Sequence, residues 1–263
     1  MYAEVEALLR RVSREVVLPH YRSLSAAQIQ EKAEDDLVTV ADRLAEEMLA
    51  EGLERIVPGL PIVGEEAAHA DPTVLDRLSG QCWIVDPIDG TNNFAAGKPP
   101  FGILIAMADA GETHTGWIYD PLAERLCTAQ RGEGAFVNGE KVVARETGGS
   151  PPIAAISLIF MQPEQREAVR EHIAPHYTLV DIPRCAAEQY PRLALGQNDV
   201  SIFERTLAWD HAAGVLWLNE AGGKAARPDR SPYRVDEPDR KGLIGAASER
   251  LWDDLAGRLD KLS

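Results

Sequence analysis

Apolar residues recur every three to four positions at the start of the chain. Val5, Leu8, Leu9, Val12 and Val16 fall on one helical face, and Pro19, which lacks a backbone donor, is expected to end that helix. Residues 29–38 are polar and charged, with no period, which predicts a mobile loop. A second helix follows, with Leu44, Met48, Leu49, Leu53 and Ile56 on its buried face and Gly59 just past its end. The period then shortens. Apolar runs between turn residues predict strands at 61–64, 83–85, 101–108, 115–119, 125–129 and 135–137, with Asn138-Gly139 a strong hairpin signal. Past the Gly, Ser and Pro residues of 147–152 the pattern alternates: strand 154–160, helix 163–174, strand 178–182, helix 187–195, strand 200–203. A further helix spans 209–221, and Ser248 caps a last one carrying Leu251, Leu255 and Leu259. This order predicts a layered α/β architecture divided near 147–152 into lobes 1–148 and 149–263.

Composition narrows the function classes. The chain has 263 residues, enough to bury a large core without disulfides, and 45% of them are hydrophobic, an ordinary globular share. With 42 acidic against 27 basic residues the net charge is −15, so a phosphate backbone would be repelled and polymeric nucleic acid is not an expected partner. The longest nearly apolar run, 101–108, is far short of the ~20 residues that span a bilayer, and no membrane association is expected. The first residues are acidic and amphipathic, unlike a secretory signal. Cys82, Cys127 and Cys185 are widely spaced with no CxxC, which points to a reducing cytoplasm.

The segment from Trp83 to Phe94, WIVDPIDGTNNF, carries the most chemistry. An apolar strand delivers Asp86 at its end, Pro87 cannot extend the ladder, and Gly90 permits a sharp turn. Asp86 and Asp89 can therefore point into one pocket, with the Ile88 carbonyl between them. Gly64-Glu65-Glu66 also ends a strand, and Trp209-Asp210 opens a helix. Carboxylates at the ends of separate elements suit a hard cation such as Mg²⁺, which takes oxygen ligands and keeps some waters. Turn formation and helix capping are the competing explanations for the same residues. Thr39 and Asp42, spaced as a capping box, carry that alternative too.

DPIDGT after a Trp, GEE upstream and WDHAAGVLWLNEAGG downstream resemble the inositol monophosphatase family of metal-dependent, lithium-sensitive phosphomonoesterases. Asp36 to Asp42 matches that family's D-x-V-T-x-x-D segment, and Gly132 to Gly139 its G-x-G-A-F-x-N-G hairpin. The resemblance covers most of the chain and implies a five-layer αβαβα sandwich, usually a homodimer, with the site between the lobes. It implies Glu65, Asp86 and the Ile88 carbonyl on a first Mg²⁺, and Asp86, Asp89 and Asp210 on a second. A looser third would sit on Glu65, and Mn²⁺ could substitute. It further implies that Asp42 and Thr91, with Glu65, activate the attacking water, and that Gly90 and Thr91 offer backbone N–H groups to the phosphate. Lys32 would lie near the third cation. Four carboxylates against two or three Mg²⁺ leave the loaded site neutral to positive, which reconciles an acidic pocket with an anionic substrate.

One stretch departs from the family. Where the inositol phosphatases carry G-[ST]-A-A, this chain reads Arg184-Cys185-Ala186-Ala187, followed by Glu188-Gln189-Tyr190. The Ala187-Glu188-Gln189-Tyr190 part resembles the G-D-x-Y of histidinol-phosphate phosphatases, so Arg184, Cys185, Ala186 and Glu188 are candidate substrate contacts. An Arg184–Glu188 pair along a helix with Cys185 packed inside is the alternative. Glu204 lies near the family's substrate-hydroxyl acid, one residue out of step. The expected activity is hydrolysis of inositol-1-phosphate or a similar polyol phosphate. Histidinol phosphate, fructose 1,6-bisphosphate and a 3′-phosphonucleotide are alternative substrates, and a non-catalytic binding protein is the alternative class.

Overall fold

The computed structural model describes residues 1–33 and 36–262, without the side chains of Ala26, Lys32, Ala33 and Asp36. Helix α1 (Tyr2–Val12) passes through a π-turn (Ser13–Val17) into α2 (Leu18–His20), so the chain stays helical past Pro19. In the wider turn the Leu18 N–H reaches back five residues to the Ser13 carbonyl. That spacing accommodates a ring that would otherwise collide with the carbonyl four residues earlier. It also rotates the face by one position, burying Val17 in place of Val16.

The described residues of the expected loop, 29–33 and 36–38, are strands instead. They form an antiparallel ribbon of β1 (Ile29–Ala33) and β2 (Asp36–Thr39), pairing Ile29 with Thr39 and Gln30 with Val38. Val38 is buried, and the Arg43 guanidinium donates to Gln30 Oε1 at 2.7 Å. Helix α3 (Val40–Ile56) starts at Thr39 with the expected capping box. Its inward face is Ala41, Ala45, Leu49, Gly52 and Leu53, while Leu44 is exposed. Small residues face inward because α1 crosses closely here: a Cβ on Gly52 would lie 2.4 Å from Leu8 Cδ1.

Next come β3 (Ile62–Gly64), α4 (Glu65–Ala70), a 3₁₀ segment (Pro72–Ser79), β4 (Cys82–Asp89) and α5 (Thr91–Ala95). An antiparallel run follows: β5 (Gly102–Asp109), β6 (Glu112–Asp120), β7 (Arg125–Gln130), β8 (Gly134–Val137) and β9 (Glu140–Val142). These make a seven-stranded sheet in the order β3 to β9, parallel only between β3 and β4.

The rest of the chain supplies β10 (Ile153–Ile156), α6 (Pro163–Ala168), β11 (Thr178–Leu179), α7 (Ala186–Ala194), β12 (Val200–Phe203), α8 (Ala208–Glu220), β13 (Lys224–Ala226), β14 (Leu243–Ala246) and α9 (Glu249–Leu259). Their five-stranded sheet runs β11-β10-β12-β14-β13. The strands expected at 154–160 and 178–182 are shorter than their apolar runs, because Ile159, Phe160 and Ile182 leave the sheet to line a cleft.

Alternation along the strands sets the layers. Trp83, Val85, Ile103 and Ile105 pack on α1 and α3, whereas Ile84, Leu104 and Ile118 pack on α7 and α8. The far side of α7 and α8 meets Phe203, Ala225 and Leu243 of the five-stranded sheet. Ala154, Val200, Ile202 and Ile244 on its other face pack on Trp252 and Leu255 of α9. Helices, sheet, helices, sheet and helices make five layers, the αβαβα sandwich. Because strand β4 lies inside two layers, all eight of its residues are buried, the aspartates included.

Candidate active site

Every acid of the site sits where a regular element ends. The β4–β5 ladder breaks between Asp86, opposite Leu104, and Asp89, opposite Gly102, because Pro87 has no N–H to give. The kink turns Asp86 and Asp89 toward the same side, and Asp86 Oδ1 accepts the Ile88 N–H at 3.1 Å. Gly90 then adopts φ +83°, and a Cβ there would lie 3.0 Å from the Pro100 carbonyl oxygen. Asp210 arrives from the first turn of α8, and carboxylate oxygens of Asp86, Asp89 and Asp210 come within 4.8 Å of one another. Glu65, at the start of α4, lines the same cleft.

Electrostatics fit this cluster to a cation. Burial, then the charges of Glu65, Asp89, Asp210 and Asp42, push the Asp86 carboxyl well above the usual carboxylate range. Burial also raises Asp89, opposed by hydrogen bonds from the Ala187 amide and the Cys185 thiol. Acids so crowded repel one another unless positive charge is placed among them. The donors are carboxylate oxygens near a backbone carbonyl, the set that hard divalent ions take.

Asp42 and Thr91, the pair expected to activate water, are also brought together. Asp42 is fully buried, and its Oδ2 accepts the Thr39 N–H at 2.8 Å and the Thr39 hydroxyl at 2.6 Å. Its Oδ1 lies 3.2 Å from Thr91 Oγ1, which is 2.9 Å from the Ile88 carbonyl. Capping and a place in the cleft thus use different oxygens of one carboxylate. The Gly90 N–H turns onto the Asp89 carboxylate, which leaves Thr91 at the head of α5 as the better placed amide for an anion.

The departing segment divides. Arg184 (φ +54°), Cys185 and Ala186 line the cleft, as does Glu204. Cys185 Sγ donates to Asp89 Oδ2 at 3.1 Å and the Ala187 N–H to the same oxygen at 2.6 Å, so the start of α7 tethers the acid at the end of β4. Glu188 is not brought to the cleft. Its carboxylate accepts from Arg125 at 2.6 Å and from Arg192 Nε at 2.8 Å; neither partner is the Arg184 that spacing suggested. The side chain of Lys32 lies outside the described residues.

Sequence reasoning missed two neighbours and undervalued a third. Arg205 stacks its guanidinium 4.2 Å above the Phe160 ring, and both line the cleft. No spacing links residues 160 and 205, so only the folded chain pairs them. His211 Nδ1 lies 2.7 Å from the Tyr190 hydroxyl and Nε2 lies 3.1 Å from the Arg205 carbonyl. Burial lowers its pKa to about 3, so the ring is neutral and braces the end of the cleft.

Residues 2–261 match the sequence profile of the inositol monophosphatase family. An inositol-1-monophosphatase of Bacillus subtilis is 34% identical over 203 residues, 76% of this chain and 75% of that protein. The Nus factor SuhB of Haemophilus influenzae is 31% identical over 258 residues, 95% of this chain and 92% of that one. The crystal structure of the suppressor protein suhB from Bartonella henselae superposes with a TM-score of 0.82 at 26% identity, covering 99% of this chain and 98% of that one.

Proposed function

The chain belongs to the inositol monophosphatase family and is a phosphoric monoester hydrolase, and from that premise we propose Mg²⁺-dependent hydrolysis of a small polyol phosphate, inositol-1-phosphate first. The observation that carries this reading is the convergence of Asp86, Asp89 and Asp210 within 4.8 Å beside the Asp42–Thr91 pair. Glu65, Asp86, the Ile88 carbonyl, Asp89 and Asp210 would hold the cations, which when bound lower the pKa of water and offset the charge of a phosphate dianion. Thr91 takes the proton of the attacking water and hands its own to Asp42, whose other oxygen stays fixed by Thr39. The Thr91 amide orients the phosphoryl group for in-line attack. Cys185 and the Ala187 amide keep Asp89 from swinging away.

Glu204 gives the leaving group a hydroxyl acceptor at the cleft wall, consistent with a polyol. The histidinol reading rested on Glu188, whose carboxylate is already taken by Arg125 and Arg192. A homodimer in the cytoplasm completes the proposal; among the described residues no helix is long and apolar enough to cross a membrane.

The test is phosphate release from about twenty phosphomonoesters with Mg²⁺, with Mn²⁺ and in EDTA. Inositol-1-phosphate should rank first, and Asp89→Asn and Asp210→Asn should each lower turnover at least ~100-fold. Full activity in EDTA would remove the mechanism, and a nucleotide or bisphosphate at the head of the ranking would replace the substrate. Lithium should inhibit at millimolar order where equal sodium does not.

A further inference from the structure

Helix α3 carries a second buried acid one turn beyond Asp42. Glu46 is 9% exposed, and both its oxygens are engaged: Oε2 accepts the Glu66 N–H and Oε1 the Ala67 N–H, each at 2.8 Å. These amides belong to the first turn of α4, whose N-cap, Gly64, has no side chain with which to satisfy them. The carboxylate does so from another helix. The approach is close enough to dictate the residue opposite, since a Cβ on Gly64 would lie 2.4 Å from Glu46 Cδ and 2.5 Å from Oε1. Glu65 stands between the glycine that admits Glu46 and the amide that Glu46 grips.

Residues four apart on a helix share a face. One rigid segment of α3 therefore presents Asp42 to Thr91 and Glu46 to the backbone around Glu65, which fixes the distance between the Asp42–Thr91 pair and Glu65. A carboxylate is the fitting group because two N–H donors need two acceptor oxygens. An amide offers one oxygen and sets its NH₂ against the other donor.

We propose that Glu46 is a positioning residue that sets the cation affinity of the cleft by fixing the backbone of Glu65. The inference rests on the reading that Glu65 holds a cation. It predicts that Glu46→Gln, nearly isosteric, behaves like a broken contact, and that Gly64→Ala, which crowds the same contact from the other side, reproduces the defect. Gly64 has φ −99°, so alanine there brings no backbone strain of its own.

The experiment is calorimetric titration of the full chain with Mn²⁺ for the parent, Glu46→Gln and Gly64→Ala, with circular dichroism to confirm folding. The expected result is cation binding weakened at least ~10-fold in both variants, as is usual when a group orienting a ligand is lost. The Mg²⁺ activation curve for phosphate release should shift to higher concentration by the same factor. Unchanged Mn²⁺ affinity in a folded Glu46→Gln overturns the proposal. Should that variant not fold, Gly64→Ala decides by the same titration. A parent that binds no Mn²⁺ would instead overturn the reading of Glu65 on which the inference stands.

Discussion

Two guanidinium groups already hold Glu188, and a substrate ammonium could reach it only by displacing one of them. The Arg125 and Arg192 contacts, at 2.6 and 2.8 Å, are largely shielded from water, so they contribute more than a surface pair would. Glu188→Gln should therefore lower stability by about 1–3 kcal/mol in denaturant titrations and leave the ranking of substrates by kcat/KM unchanged. A changed ranking at unchanged stability would return Glu188 to the cleft. The acids that do meet there were legible in the sequence because turn residues flank them: Pro87 and Gly90 allow little but a kink at Asp86 and Asp89. The alternative Arg184–Glu188 pair does not form, because an i,i+4 spacing describes neighbours only within a helix. Arg184 instead takes φ +54° before α7 begins at Ala186, so it never joins the helix. Thr91→Val should remove the hydroxyl without disturbing the fold and lower kcat ~10²–10⁴-fold, the usual cost of losing proton transfer at the reacting centre. A loss confined to KM would show that Thr91 only binds.

Helix α8 brings Asp210 to the site and is buried on nearly every side, so its position depends on how closely its neighbours approach. Gly214 faces the Tyr190 ring of α7, where a Cβ would lie 2.0 Å from Cδ2, and Gly116 of β6 lies against Ala213, with a Cβ 3.0 Å from its Cα. Helix propensity alone favours alanine at 214 by about 1 kcal/mol. Packing opposes it, and Gly214→Ala should be net destabilising by about 1–3 kcal/mol in thermal or chemical unfolding. By pushing Tyr190 from His211 it should also weaken cation binding through Asp210. A stabilised variant would mean that α7 and α8 have room the contacts deny. Elements were legible where one apolar run is uninterrupted, as in β5 and α8. They were not where a neighbour supplies the reason: the β1–β2 ribbon looks polar because Gln30 and Glu31 are exposed, and β13 and β14 are too short for a period to show. The π-turn left no mark because Val16 and Val17 are both apolar, so either register reads as a helix.

Across the whole molecule the five layers followed from family resemblance; local periodicity implied only a layered α/β chain, since the order of layers depends on which faces meet. The same layering buries acids that ionise in alkali. Burial pushes Cys82 up to about 11 and Cys127 up to about 12 from an ordinary 9.0, and it raises the phenols of Tyr177, Tyr190 and Tyr233. Above pH 9 the unfolded chain therefore releases thiol protons that the folded chain retains, and above pH 10 phenol protons as well. A folded state that binds more protons than the unfolded one loses stability as pH rises, by at most about 1.4 kcal/mol per pH unit for each such group. Tm should be nearly level from pH 7 to 8.5 and fall above 9 by at least a few degrees per unit, at about 2–4 °C per kcal/mol in a chain of this size. Replacing two of the three buried thiols, Cys82→Ala with Cys127→Ala, should reduce the fall between pH 9 and 10, with Cys185 keeping the remainder, and leave the steeper decline beyond, which belongs to the tyrosines. Retention of the full slope in that double variant would assign the alkaline limb to repulsion among the excess acids of a chain already at −15.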